Sequence, residues 1–265
     1  SMTKADFVHL HAHSNFSFKD ATAHPHELIK AAAFYEMPAV ALTDHSTLAG
    51  AIRFYRAAQG SGVCPIIGTE LELDSGHHLT LLAENLSGYS SLCRLLSELH
   101  LSQPRQMPLA RLDAIERHRR GIICLSGCAH SRLSQDLLSD KHQDARAFLQ
   151  TLREIFPGSC YVELEHPLLP ESPQLIAQLA KLGQELDLPL VATNNVHFLR
   201  KTDHPMRDLL CCMGENITIY QPHARRHQND QRYFKGPKTM HKLFSAYPEA
   251  LAHTRLIAER CQLQL

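Results

Sequence analysis

Apolar and polar residues alternate from the start of the chain. In FVHLHAH (7–13), Val8, Leu10 and Ala12 interleave with His9, His11 and His13. Successive side chains of a strand point to opposite faces, so this alternation puts the three imidazoles on one side of a strand. PHELIKAAAFYE then shows helical spacing, with Pro25 suited to a first helical turn. PAVALTDH (38–45) reads as a buried strand and TLAGAIRFYRAAQ as the helix after it. CPIIGTELEL (64–73) and HHLTLLAEN (77–85) read as strands, and GYSSLCRLLSELH as a helix. GIICLSGC (121–128), CYVELEH (160–166) and PLVATNNVHFL (189–199) are further strands, separated by helical periodicity. Strands alternating with helices of this length predict βαβ units and a largely parallel sheet. Seven or so of them fit a closed barrel better than an open sheet.

After residue 203 the pattern turns helical, in HPMRDLLCCMGE and again in KTMHKLFSAYPEALAHTRLIAERCQ. Between them runs a polar, basic connector, HARRHQNDQRYFKGPK. The division expected is a barrel over 3–202 and a helical extension over 203–265 packing on it. Arg225, Arg226, Lys235 and Lys238 of the connector either touch DNA phosphates or a neighbouring domain, or lie in a solvated loop. The stripe Leu243, Phe244, Leu251, Leu256 and Ile257 reads as core.

Charge excludes one simple reading. Lys+Arg and Asp+Glu number 27 each, so no global positive field marks a nucleic-acid binder, and any DNA contact falls to a local patch or to metal ions. The 19 histidines lean toward metal chemistry, because neutral imidazole is the commonest metal ligand. The eight cysteines form no CxxC pair. With no secretory signal and no apolar run of membrane-spanning length, a cytoplasmic protein with reduced thiols and no membrane partner is expected. Ser1-Met2 reads as an expression remnant before the true start.

The polar residues fall at corresponding places. His11 and His13, Asp44 and His45, Glu70, Cys128, and Asn195 and His197 all sit at the carboxyl end of a predicted strand, the face on which parallel barrels carry their sites. An unpaired glutamate after an apolar run would be costly to bury. Several such residues at matching strand ends point to divalent ions held by imidazole and carboxylate. His9 shares the face but lies deeper, where core packing is expected. His77 should face away from His78, toward the surface. In CLSGCAH either Cys128 or His130 suits a ligand, and Cys124, Cys211 and Cys212 read as core thiols. No Ser/His/Asp arrangement competes, and GAIRFYRAAQGSG lacks the lysine of a phosphate loop.

The segments LHAHSNFSFKDA, PAVALTDHSTLAG, PIIGTELEL, HLTLLAENLSGYSSLCRLL, CLSGC and LPLVATNNVHFL resemble the successive motifs of the PHP (polymerase and histidinol phosphatase) family. The likeness is closest to the N-terminal PHP domain of bacterial DNA polymerase III α subunits, with SNFSF and STLAG similar to the error-prone branch. RYFKGPKTMHKLFSAYPEALAHTRLIAERCQLQL resembles the segment joining PHP to the polymerase palm.

The resemblance implies an α/β fold, a distorted (β/α)7 barrel, with two or three divalent ions (Zn, Mn or Fe) at the carboxyl ends of its strands. It implies phosphoester hydrolysis, in polymerases a 3′→5′ exonuclease. Matched by position, the ligands are His11, His13, Asp20, His45, Glu70, His78, Cys128, Asn195 and His197, with Asp20, His45 and His197 as catalytic members. Asp44 is expected to orient His45 or to support the ligands from behind. The family has an aspartate where this chain has Asn195. An amide oxygen coordinates without supplying negative charge, which weakens one metal. The partners implied are the 3′ end of a DNA single strand, a polymerase palm domain and replication or repair proteins. One rival is a free-standing phosphatase for a small phosphate ester such as histidinol phosphate or a nucleotide. Another is a catalytically silent structural module of a polymerase.

Overall fold

The computed structural model describes residues 5–104 and 107–265; the reading of Ser1-Met2 lies outside the described residues. Six strands, β1 (Ala39–Leu42), β2 (Cys64–Glu72), β3 (His78–Ala83), β4 (Ile122–Leu125), β5 (Cys160–Glu165) and β6 (Leu190–Thr193), lie side by side in chain order. Among them run α1 (Pro25–Phe34), α2 (Ala51–Ala58), α3 (Leu86–Ser102), α4 (Leu112–Arg117), α5 (Arg132–Leu138), α6 (His142–Ile155) and α7 (Ser172–Glu185). Beyond β6 come α8 (His204–Glu215), α9 (Pro237–Leu243) and α10 (Pro248–Arg260). No helix among the described residues is long and apolar enough to cross a membrane.

The sheet is less uniform than the alternation predicts. β1–β2, β4–β5 and β5–β6 are parallel, but β3 runs antiparallel to both of its neighbours. The connection from β2 to β3 is too short for a crossover helix, which a parallel pair requires. Reversal brings the amino end of β3, where His78 sits, to the face that holds the carboxyl ends of the other strands.

Residues 7–13 join the two edges of this sheet. The His9 and Ala12 carbonyls accept from the Ala41 and Thr43 amides at 2.9 and 2.8 Å. On the other side, the His13 amide donates to Val196 (2.8 Å) and the Val196 amide to His11 (3.0 Å). Seven extended segments therefore enclose one interior, the barrel-like α/β architecture the alternation predicts. The step from His9 to Ala12 spans three residues against two on the β1 side. That extra residue is a bulge, and it changes which face the chain presents. Val8 and Leu10 belong to the interior cluster, whereas Ala12 packs in the outer layer between sheet and helices.

Inside, Val8, Leu10, Ala41, Ile66, Leu82 and Val191 pack with Ile257 and Ala258 of α10 and with Cys261 just beyond it. Helix α10 thus closes the amino ends of the strands. Thr254 Oγ1 accepts from the Val8 amide (3.1 Å), and Arg260 reaches the Gly158 carbonyl (3.1 Å), Ser159 Oγ (2.6 Å) and Glu84 (3.1 Å). Two expectations for this region need correction. The helical pattern over 238–262 breaks between α9 and α10, before Pro248. Leu256 is exposed, because the stripe that faces the barrel is Ala250, Leu251, Thr254, Ile257 and Ala258.

The basic connector is exposed at its two ends and buried or half-buried over most of the stretch between them. Arg226 forks onto Asp208 (2.8 and 2.7 Å), Arg225 pairs with Glu215 (2.8 Å), and Lys235 is buried. Arg225 and Lys238 remain exposed, whereas Arg226 is half-buried against Asp208.

Candidate metal centre

The bulge separates the three histidines of the opening segment. His9 is buried, donates from Nε2 to the Lys235 carbonyl at 2.7 Å, and packs on Phe7 and Phe234. Burial lowers its pKa to about 3, so it stays neutral. It takes no part in the cluster formed by His11 and His13, although strict alternation places all three on one face.

Glu70, buried at the end of β2, is the centre of that cluster. Its Oε2 lies 2.7 Å from His11 Nε2, 2.9 Å from His13 Nε2 and 3.7 Å from His45 Nδ1; its Oε1 lies 3.5 Å from His78 Nδ1. Burial by itself raises the Glu70 pKa, but the His11 and His45 charges outweigh it and hold the carboxyl well below its usual range. His78 Nδ1 is also 3.4 Å from Cys128 Sγ. Gly127 makes that approach possible: its φ is +120°, and a Cβ there would sit 2.3 Å from the His78 carbonyl. His130, the other residue the motif left open, instead meets Arg232 at 2.8 Å.

A second subset lies at the mouth. Asp20 Oδ2 is 2.7 Å from His45 Nε2 and 3.1 Å from His197 Nε2. His197 Nδ1 donates to the Asn195 carbonyl at 2.7 Å, which leaves Nε2 with its lone pair toward the cluster. His13 stacks on His45 with ring centroids 4.3 Å apart. Burial raises the Asp20 pKa, yet His197 and His45 bring it well below the usual carboxyl range; burial lowers His197 to about 3. Burial lowers the His45 pKa too, but Glu70 and Asp20 raise it above its ordinary value. A cation bound there would displace a proton, because imidazole binds cations in its neutral form. Asp44 stands behind, accepting from the Ser14 amide and from the Ser14 and Ser17 hydroxyls, each at 2.7 Å, so it fixes the loop that leads to Asp20.

All nine of the positions matched by motif are thus brought to one place. Asn195 is there through its side chain as well, with Oδ1 2.9 Å from His13 Nε2. Its backbone is left-handed (φ 46°), a conformation asparagine adopts more readily than most residues. His77 departs from expectation: rather than facing solvent, its ring stacks on Phe148 at 3.6 Å.

Several participants were not anticipated. Glu163 Oε2 lies 2.8 Å from His11 Nδ1 and accepts from Thr193 Oγ1 at 2.8 Å. Burial lowers the His11 pKa, but Glu163 and Glu70 together lift it well above its ordinary value. Glu165 pairs with buried Arg232 and accepts from the Ala129 amide at 2.9 Å. The signal for both was present in CYVELE: two carboxylates at alternate positions of an otherwise apolar, buried strand need partners.

The donor set suits divalent cations. Three groups, His13/His45/His197, His11/His13/Glu70 and Glu70/His78/Cys128, each have ligand atoms within 4.8 Å of one another. Imidazole, carboxylate and thiolate are ligands for zinc and its transition-metal neighbours. Buried Glu163 Oε1 has no hydrogen-bond donor among the described residues, so the polar interior carries negative charge that a nearby cation would balance. His11, with one nitrogen toward Glu70 and the other held by Glu163, has the carboxylate–histidine arrangement that orients a metal-bound imidazole.

A family model described as the PHP domain matches residues 9–167. An error-prone DNA polymerase of Symbiobacterium thermophilum is 42% identical over 272 residues, covering 97% of this chain and 25% of that protein. DNA polymerase III subunit alpha of Pseudomonas aeruginosa is 34% identical over 98% of this chain and 23% of that protein. The chain therefore spans about a quarter of the length of these curated relatives. Among solved structures, an amidohydrolase from Chromobacterium violaceum aligns over 72% of this chain and 87% of that chain, at 16% identity and a TM-score of 0.48.

Proposed function

Since the chain belongs to the PHP domain family, we propose that its chemistry falls to the cluster in the barrel mouth. On this reading the cluster holds two or three divalent ions (zinc, manganese or iron) and hydrolyses phosphodiesters, as the PHP domain of a DNA polymerase III α-type, error-prone polymerase. One observation carries the reading: the three donor groups overlap through His13 and Glu70, so cations held there would be close neighbours.

His11, His13 and Glu70 would hold one ion, and Glu70, His78 and Cys128 a second. His45 and His197, with Asp20 beside them, would hold a third, since His13, with one imidazole lone pair, serves a single ion. Bound divalent ions neutralise phosphate oxygens and ease deprotonation of water at neutral pH. Glu163 fixes the His11 ring through Nδ1, and the Asn195 carbonyl fixes His197 through Nδ1. Asp20 Oδ2, partly exposed at the mouth between two imidazoles, is the oxygen this residue would offer to that third ion. The substrate that fits the family setting is the 3′ end of a DNA single strand, and the partner is a polymerase palm domain. With net charge zero, the chain has no long-range field to gather DNA, so cations in the mouth supply the local attraction.

Elemental analysis of protein purified without chelator is the test. Two or three ions per chain are expected, together with cleavage of a 3′-labelled single strand and of a chromogenic phosphodiester. Less than one ion per chain after zinc or manganese loading would sink the reading. A panel including histidinol phosphate and nucleotides separates a small-ester phosphatase from it. A second reading, a silent module of a polymerase, is favoured by Asn195, where an amide replaces the carboxylate of the family pattern. Metal bound without hydrolysis of any phosphoester would support it.

A further inference from the structure

Arg207, on α8, is the bulkiest fully buried side chain among the described residues, and it lies outside the segments matched to the family motifs. A guanidinium is buried at great cost unless its donors are met. Here they are met largely by one residue. Nη2 donates to Asp20 Oδ1 at 2.5 Å and Nε to the Asp20 carbonyl at 3.0 Å, while Nη1 donates to the Arg225 carbonyl at 2.9 Å. The two Asp20 oxygens are therefore divided. Oδ1 is taken by Arg207, and Oδ2 alone faces His45 and His197.

The turn that presents Asp20 also depends on its surroundings. Lys19 has φ 57°, a left-handed backbone that non-glycine residues hold only where contacts impose it. The bond from Arg207 to the Asp20 carbonyl is such a contact, made by a helix that follows the last strand.

We propose that Arg207 is a positioning residue for the metal centre. It holds Asp20 so that a single oxygen is offered to the ion at the mouth, and through it α8 completes a site otherwise built from the barrel. The inference rests on reading Asp20 as a ligand. A lysine would not replace it, because one ammonium cannot grip a carboxylate and a carbonyl with the fixed geometry of a planar fork.

The test is a metal titration of wild type, Arg207→Lys, Asp20→Asn and the double variant, using zinc against a chromophoric chelator. Melting temperatures taken with and without metal separate a folding defect from a binding one. Arg207→Lys should weaken one ion by roughly 10–100-fold, the usual loss when a residue supporting a ligand is changed, and leave the others in place. In the Asp20→Asn background the same change should have no further effect, since the residue it acts through is gone. A general structural role would lower metal affinity equally in both backgrounds, and that outcome overturns the proposal, as does wild-type affinity in Arg207→Lys. Should Arg207→Lys not fold, Asp20→Glu probes the pair from the other side. It keeps both charges but moves the carboxylate out of the fork, and should weaken the same ion; undiminished affinity would count against Arg207. A wild-type protein that takes up no zinc removes both this inference and the metal reading, whereas normal wild-type uptake with an indifferent Arg207→Lys removes this inference alone.

Discussion

The same strands build both ends of the barrel, and the inward-facing columns change character along them. On β2 the column runs Ile66, Gly68, Glu70; on β5, Tyr161, Glu163, Glu165; on β6 and beyond, Val191, Thr193, Asn195. On the reversed β3 it runs Leu82, Thr80, His78. At the amino ends apolar side chains meet under Ile257 and Ala258 of α10. At the carboxyl ends the imidazoles and carboxylates of the cluster lean on one another. The two ends are held by different physics. The apolar end gains from area removed from water, a non-directional term proportional to what is buried. The polar end is directional, and removing one partner leaves another buried and uncompensated. Metal content should therefore respond at the second end alone, whereas a change at the first end lowers stability without touching it.

The double variant His11→Ala/His13→Ala tests that separation hardest. It should lose the ion assigned to His11, His13 and Glu70 outright while the chain still folds, read by elemental analysis beside circular dichroism. Full metal content in that variant would break the comparison. Ile257→Ala attacks the opposite end. A fully buried isoleucine reduced to alanine costs about 2–5 kcal/mol, so the urea midpoint should fall clearly, with metal per folded chain unchanged.

Asn195→Asp sharpens the polar end. Restoring a carboxylate next to His13 should raise metal occupancy and any phosphodiester hydrolysis by roughly 10–100-fold. Equal rates and equal metal content in the two proteins would show that the amide is no handicap. The last effect concerns Lys235, which lies outside both ends. Burial lowers its pKa from 10.5 to about 7. Between those values the unfolded chain carries a proton that the folded chain has released, so unfolding takes up a proton and stability rises with pH across that window. In chelated protein, the gain in unfolding free energy from pH 7 to pH 9 should be about 2 kcal/mol smaller in Lys235→Met than in wild type. An identical pH slope in the two proteins would show that Lys235 is not the source.

Much of the fold could be read from local pattern, because strands and helices announce themselves by period. The carboxyl-end donors were equally visible: a histidine or glutamate closing an apolar run has little use in a core. The direction of β3 is legible too, because the short Asp74–Ser75–Gly76 link cannot span a parallel crossover. The bulge between His9 and Ala12 is not. Nothing in FVHLHAH signals an extra residue, since its position depends on how Ala41 and Thr43 of the neighbouring segment register against it.

Sequence alone determined the inventory: which strands carry imidazole, carboxylate or thiol, and that they end near one another if the barrel closes. Period and burial cost are properties of a few consecutive residues, so they survive in one dimension. Tertiary structure decided who supports whom. His11 owes its orientation to Glu163, 152 positions away, and Asp20 owes its free oxygen to Arg207, 187 positions away. Such pairings follow from the closure of the barrel and the return of α8 across its mouth. Hydrogen bonds act only over about 3 Å, so the folded chain alone selects which distant groups come within that reach.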